Sequence, residues 1–432
     1  MGQRMPWLSW ITLALAVCVA SPLAAQNTGS VTAIRFGTLV DGTGRTVRDA
    51  VVVISADTVV RVGSGAAAVP RAARVIDLRR YTGIPGLIDA HTHISYYWDQ
   101  TPGTDPWRQS GQRRSQVTVF LAQENARKTL ETGVTTIRDL GASEYSDLAI
   151  RDLIARGAMV GPRVFGAGYG LRRAPANPQP NAPPGPPRGR IAGVEDVAAA
   201  VKAQVDAGAD VIKAYGSTGS AADVTGRQTL SYDEMKAIVD ASHAAGKRIA
   251  IHSYGPDGAR DAVRAGAESV EHPIDLDDST LARMAAQGTY YVPTIDHNRY
   301  YAEYREQFGY SPAQAAALDS FRLRNLETAR RAFRAGVKFA MGSDAVFTMF
   351  GQNTRELEWF VKAGMTPTQA LATATTNGAA LLGMERKLGA VAPGYLADFV
   401  AVEGDPLTDI RVVIDRVRWV MKGGTVVVDH TR

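Results

Sequence analysis

Short apolar runs alternate with longer stretches of helical period through the middle of this chain, and that alternation sets the fold class. Strand-like runs rich in Val, Ile and aromatic residues occur at 84–94, 135–140, 163–168, 210–216, 248–254, 268–274, 290–295 and 338–344. Apolar residues at three- and four-residue spacing fill the gaps, as over 117–130, 194–207, 233–245 and 312–335. Strands that alternate with helices build βα units around a parallel sheet. Eight such units predict an α/β fold, a (β/α)8 barrel of TIM type, with functional side chains where the strands end. An open doubly wound sheet is the alternative, but its glycine-rich dinucleotide fingerprint is missing.

The two ends of the chain read differently. β-Branched runs at 31–36, 50–54, 59–62 and 74–78 are broken by turns at Asp41-Gly42 and Gly63-Ser64-Gly65. Runs of the same kind return at 398–402, 411–414 and 425–428. They predict a small discontinuous β-sandwich made by both termini, residues 26–83 and 388–432, flanking a barrel over 84–387.

Residues 1–25 stand apart from this pattern. Arg4 precedes the apolar run 7–20, and Ser21-Pro22-Leu23-Ala24-Ala25 offers small residues for cleavage before Gln26, the layout of a signal peptide. An exported protein, periplasmic or secreted, is expected. The run falls short of the roughly 20 residues of a span, so no stable membrane span is expected. Cys18 is the only cysteine, and Val17 before it does not suit a lipoprotein signal. Cleavage would leave no disulfide and no thiolate ligand. A net charge of +5 without a long Lys/Arg run gives no nucleic-acid footprint.

Chemistry concentrates at the predicted strand ends. Gly83-Ile84-Pro85-Gly86-Leu87-Ile88-Asp89-Ala90-His91-Thr92-His93-Ile94 is an apolar strand that runs into two histidines one residue apart. That spacing puts both imidazoles on one strand face. His252 and His272 end two further strand-like runs, and Asp344 follows Gly342-Ser343 at another. Lys213 sits after Val211-Ile212 inside a strand read as buried, where an ammonium is costly to desolvate. His297 is placed at a strand end facing the pocket, whereas His243 and His430 are read as surface groups. Arg138 is expected to form a structural ion pair with Asp139. The proline-rich stretch 171–190 is either a solvated spacer or a lid over the catalytic face.

In order along the chain, Pro85 to His93, Val211-Ile212-Lys213-Ala214-Tyr215, His252, His272, Met341-Gly342-Ser343-Asp344 and the closing run 388–398 resemble the metal-dependent amidohydrolase superfamily. The likeness is to its imidazolonepropionase and Xaa-Pro dipeptidase-like branch, which includes ochratoxin-hydrolysing members. It implies two divalent metal ions: His91, His93 and Asp344 on one, His252 and His272 on the other, and a carbon dioxide-derived carbamate on Lys213 bridging both. Nitrogen and oxygen donors without thiolate suit Zn2+. Asp344 would also serve as general base and acid. Tyr254, two residues beyond His252, falls on the same strand face; with Tyr215 and His297 it is the expected substrate contact. Tyr96, Tyr97, Trp98 and Tyr215 would form an aromatic mouth.

The expected reaction is cleavage of an amide or peptide bond in a small-molecule or dipeptide substrate, releasing a C-terminal amino acid from a dipeptide or an N-acyl amino acid, ochratoxin-type aromatic amides included. The alternatives are a cyclic amide or lactone hydrolase and a noncatalytic binding protein on the same scaffold. Retention of all six ligand positions argues against the latter. A homo-oligomer is compatible with the sequence. Many relatives carry a histidine near the end of the third strand, where this chain reads Phe165-Gly166-Ala167-Gly168-Tyr169-Gly170, so the substrate does not transfer with the metals.

Overall fold

The computed structural model describes residues 31–175 and 189–431. The signal-peptide expectation for 1–25 and most of the proline-rich stretch lie outside the described residues. No described helix is long and apolar enough to cross a membrane.

The β-branched runs of both ends meet in one seven-stranded sheet. Thr32–Val40, Thr46–Ser55, Thr58–Ser64 and Arg74–Pro85 come from the N-terminal side, and Phe399–Val402, Val417–Lys422 and Thr425–Asp429 from the C-terminal side. The halves join where Phe399–Val402 runs antiparallel to the end of Arg74–Pro85, with Phe399 opposite Pro85 and Val402 opposite Thr82. The sheet wraps far enough that Val59 N donates to Tyr395 O (2.8 Å) and Ala397 N to Asp57 O (2.7 Å). Phe36, Val52, Phe399 and Trp419 therefore share one apolar cluster although their strands are spread across the sheet.

One terminal strand is misplaced by the sequence pattern. Residues 411–414 are not a strand but part of the short helix Arg411–Asp415, because Asp409 Oδ1 accepts from the Arg411 amide (3.0 Å) and starts a helical turn. The strand lies just beyond, at Val417–Lys422, and returns as Thr425–Asp429 through Gly423 and Gly424, both at positive φ. Two such residues in a tight hairpin call for glycine.

Between these ends, parallel strands and helices alternate as predicted. Leu87–Thr92, Val134–Asp139 and Arg163–Gly166 form a three-stranded sheet; Val211–Tyr215, Arg248–His252, Ser269–Glu271, Tyr290–Val292 and Lys338–Phe339 form a five-stranded one. Parallel bridges Leu171↔Ala214 and Thr92↔Ala345 connect them. The fold is TIM-barrel-like α/β. The expected helices appear as Ser115–Glu131, Val197–Asp206, Tyr232–Ala244 and Pro312–Arg334. The last starts at a capping box of Ser311 and Gln314 with Pro312 at its first position.

The strand that carries the His-Thr-His motif begins later than expected. Ile84 and Pro85 belong to the terminal sheet, and the barrel strand starts at Leu87. Gly86 is the junction. Its amide donates to Asp398 O (2.8 Å), and a Cβ there would lie 2.3 Å from Thr135 Oγ1 and 2.9 Å from Asp398 Cβ. Gly86→Ala is expected to destabilise the protein by about 1–3 kcal/mol through overpacking, measured by denaturant unfolding; an unchanged midpoint would show that the junction relaxes freely.

Candidate metal centre

Backbone geometry brings the predicted donors to one point. His91 is on its strand and His93 just past it, so both rings turn to the same side. His272 (φ 73°) and Asp344 (φ 53°) sit in the left-handed region, which non-glycine residues occupy only when their surroundings hold them there. Asp344 is pinned by its amide, which donates to His91 O (2.7 Å). Its carboxylate then faces two ways. Oδ1 lies 3.2 Å from His93 Nε2 and 3.5 Å from His91 Nε2; Oδ2 lies 3.2 Å from His297 Nε2 and 3.9 Å from His272 Nδ1. The His252 and His272 ring centroids are 4.7 Å apart. Donor atoms of His91, His272 and Asp344 lie within 4.8 Å of one another, close enough to share an ion.

A second layer fixes these rings. His91 Nδ1 donates to Glu271 Oε2 (2.8 Å), and His93 Nδ1 to Gly141 O (3.0 Å); each bond leaves Nε2 as the lone pair facing the centre. His272 Nδ1 shares a 2.6 Å bond with Thr294 Oγ1. Asp89 accepts from the His91 and Ser343 amides, from Ser343 Oγ and from Asn353 Nδ2, tying the first ligand strand to the turn before Asp344. Arg138 does not pair with Asp139. Neighbouring strand residues point to opposite faces, so Arg138 reaches Glu271 Oε1 (3.0 Å) and Ser269 Oγ (3.0 Å), while Asp139 accepts from Thr92 Oγ1 and the Ile94 amide.

The electrostatics suit a cation. Burial pushes His91 and His272 well below the usual imidazole range and His252 to about 3, which leaves neutral imidazoles with free lone pairs, and it lowers Lys213 to about 8, which makes its amine easier to free. For Asp344 burial acts in the opposite sense, but the surrounding imidazoles overcome it and hold the carboxyl well below its ordinary value. Burial also opposes charge on His93, and contact with Asp344 raises it nonetheless. Among the described residues, His91 Nε2, His252 Nε2 and Lys213 Nζ are buried without any hydrogen-bond partner. Buried polar atoms are rarely left so, and three converging on one cavity fit a site for divalent metal.

That cavity holds about 440 Å³ and is lined by all six expected ligands and by the three expected substrate contacts, Tyr215, Tyr254 and His297. Tyr254 stacks on His252 with centroids 5.1 Å apart. The aromatic mouth is composed differently from expectation: Tyr96 lines it with Trp107 and Tyr301, whereas Tyr97 donates to Glu124 and Trp98 to Thr104, off the cavity. Trp107 and Tyr301 lie on helices Pro106–Gln112 and Ile295–Glu303, where a search of strand ends does not look. Arg172 and Asp223 also line the cavity and were missed. His243 pairs with Glu268 on the surface (2.9 Å) and His430 is exposed, as expected of both.

Comparison with known proteins agrees with this geometry. Residues 82–427 match the amidohydrolase family. Ochratoxinase of Aspergillus niger is 31% identical over 93% of this chain and 88% of its own, and its crystal structure aligns with a TM-score of 0.78 at 28% identity, covering 93% of this chain and 96% of that one. A Xaa-Pro dipeptidase crystallised with methionine in its active site aligns with a TM-score of 0.82 at 31% identity, covering 92% and 99% of the two chains. Imidazolonepropionase of Symbiobacterium thermophilum is 25% identical over 76% of each chain. With the match spanning both the barrel and the strands that flank it, the chain belongs to the amidohydrolase family and is a hydrolase.

Proposed function

We propose that this hydrolase is a binuclear metal enzyme that cleaves an amide bond and releases a C-terminal amino acid from a dipeptide or an N-acyl amino acid, bulky aromatic amides included. The observation that carries this reading is Lys213: its Nζ is buried in the cavity wall with no partner among the described residues, and burial brings it to about 8. A neutral amine attacks carbon dioxide. The N–C bond forms as one C–O π bond of carbon dioxide opens; one proton leaves the ammonium to free the amine and a second leaves nitrogen after the attack, so the cationic side chain becomes an anionic oxygen donor. His91, His93 and Asp344 would hold one ion, His252 and His272 the other, and the Lys213 carbamate both. Zn2+ is the proposed metal on donor type. Bound dications would supply Lewis acidity to the carbonyl and lower the pKa of water.

The side chains provide the rest. Asp344, ionised and facing the centre with both oxygens, takes the proton of the attacking water and delivers it to the departing nitrogen. His297, 3.2 Å from Oδ2, holds that oxygen in place. Tyr254 and Tyr215 bind substrate from the strand side, and Tyr96, Trp107 and Tyr301 offer an apolar wall for the acyl group. Resemblance to a dipeptidase that holds methionine and to ochratoxinase supports an amide substrate with an amino-acid product. On the layout of residues 1–25 the enzyme is proposed to be exported, with the barrel over 87–387 and a terminal sandwich-like domain over 31–85 and 388–431.

Lys213→Ala is expected to lower metal content and turnover together, with partial recovery when a short carboxylic acid is added. Elemental analysis beside an amidase assay decides this, since unchanged metal and turnover would remove the carbamate from the scheme. Asp344→Asn keeps the volume and one oxygen but cannot accept the proton. Turnover should drop by roughly 10²–10⁴-fold while thermal unfolding stays close to wild type; near-normal turnover would assign the base elsewhere. A panel of N-acyl amino acids and their C-terminal amides, with cyclic amides and lactones as counter-set, tests the substrate class. The free acids should be preferred, and Tyr254→Phe should slow their cleavage. Equal kcat/KM for acid and amide would end the carboxypeptidase-like reading, and an unaffected Tyr254→Phe would make that tyrosine part of the scaffold.

A further inference from the structure

Arg172 is a cation on the cavity wall that belongs to neither the ligand set nor the proton path. It lies just past the third barrel strand, in the pair Arg172–Arg173 and Arg190–Ile191, with its amide donating to Gly189 O (2.9 Å). Leu171 locks this segment to the strand of Lys213: Leu171 N donates to Lys213 O (2.7 Å), and Tyr215 N donates to Leu171 O (2.8 Å). The Arg172 guanidinium carbon stands 4.3 Å from the centre of the Tyr215 ring, a stacking that keeps the planar fork oriented. Arg172 is exposed on its outer side and lines the same cavity as Tyr96, Tyr215, Lys213 and His252.

What sets Arg172 apart is the lack of a counter-charge. Next to it, Arg173 is neutralised by Glu234 (2.5 Å). No ion pair joins Arg172 to a carboxylate of the described residues; Asp223 on the same wall accepts instead from the Thr225 amide and hydroxyl, and burial and then the charge of Arg172 lower the pKa of Arg190. The sequence from 171 to 192 contains four arginines and no acidic residue, so the segment supplies none either. An unpaired guanidinium that lines a substrate cavity is a receptor for a planar anion, which it takes in two parallel hydrogen bonds.

Building on the amidase reading above, we propose that Arg172 binds the carboxylate of the amino acid to be released and so sets the enzyme's preference for substrates with a free C-terminus. In such a substrate only the α-carbon separates the carboxylate from the scissile nitrogen. The receptor must then stand on the wall that carries the expected ligands, and Arg172 lines that cavity with its guanidinium stacked on Tyr215, two residues beyond Lys213.

The test measures kcat/KM for N-acetyl-L-phenylalanine-type acids and their C-terminal amides in wild type, Arg172→Gln and Arg172→Lys, with metal content recorded for each. The acid-to-amide ratio should collapse in Arg172→Gln by about 10- to 100-fold, mostly through KM, and Arg172→Lys should keep part of it. A ratio preserved in Arg172→Gln overturns the proposal while the amidase reading stands. Loss of metal with an unchanged ratio overturns it too, and makes Arg172 a support for a Lys213 carbamate. If wild type cleaves neither acid nor amide, the amidase reading has failed, and calorimetric binding of N-acetyl-L-phenylalanine against its amide tests the receptor alone. Weaker acid binding in Arg172→Gln supports it; equal binding by the two proteins overturns it.

Discussion

The buried carboxylate of Glu271 is the constraint on which the centre depends. It has no exposure to water, and it lies between the guanidinium of Arg138 and the imidazole of His91. A carboxylate so placed is tolerable only when charge and hydrogen bonds surround it. Arg138 supplies the charge, and Ser269 and His91 the remaining donors. Three strands are thereby joined across the interior, and the bond to His91 Nδ1 fixes which nitrogen faces the cavity. Removal of Arg138 would leave Glu271 uncompensated in a dry interior, a cost of several kcal/mol. The expected ligand His91 is thus held by a core that is itself electrostatic, and burial alone would not orient it.

Asp344 is the counterpart at the other nitrogen of the His91 ring. Its turn is strained, with φ in the left-handed region, and the strain is absorbed by the Asp89 network and by the bond from its amide to His91 O. The result is a carboxylate whose two oxygens look at different imidazoles. One face matches the His91 and His93 pair, and the other looks toward His272 and His297. A single side chain is therefore in touch with both halves of the proposed centre, as a residue that both binds metal and moves a proton has to be.

Most of the architecture was legible in the sequence because periodicity reports local structure directly: helix Pro312–Arg334 announces itself with Ser311-Pro312 and a capping glutamine, and the strand-end histidines stand at the close of apolar runs. What escaped had a physical reason in each case. Val412-Val413-Ile414 has strand composition, yet Asp409 starts a helix there, a local side-chain bond that composition cannot reveal. The hairpin through Gly423-Gly424 turns on two glycines at positive φ, the signal by which its first strand, Val417–Lys422, is legible. Arg138 found Glu271, which is remote in sequence, and only the closing of the strands around the interior brings them together. Trp107 and Tyr301 come from helices and Arg172 from a two-residue strand beyond Arg163–Gly166, so no pattern of apolar strands points to them.

The clasp between the two ends of the chain bears on the order of biosynthesis. Phe399–Val402 is made late in the chain, yet it is the strand that grips the residues up to Pro85, and only 86–90 separate that grip from His91. A ribosome therefore releases the first pair of ligands long before the strand that anchors them exists. That pairing cannot form until Val402 has been made, so the junction before His91 is completed only after all six expected ligand positions, the last at Asp344, have been synthesised.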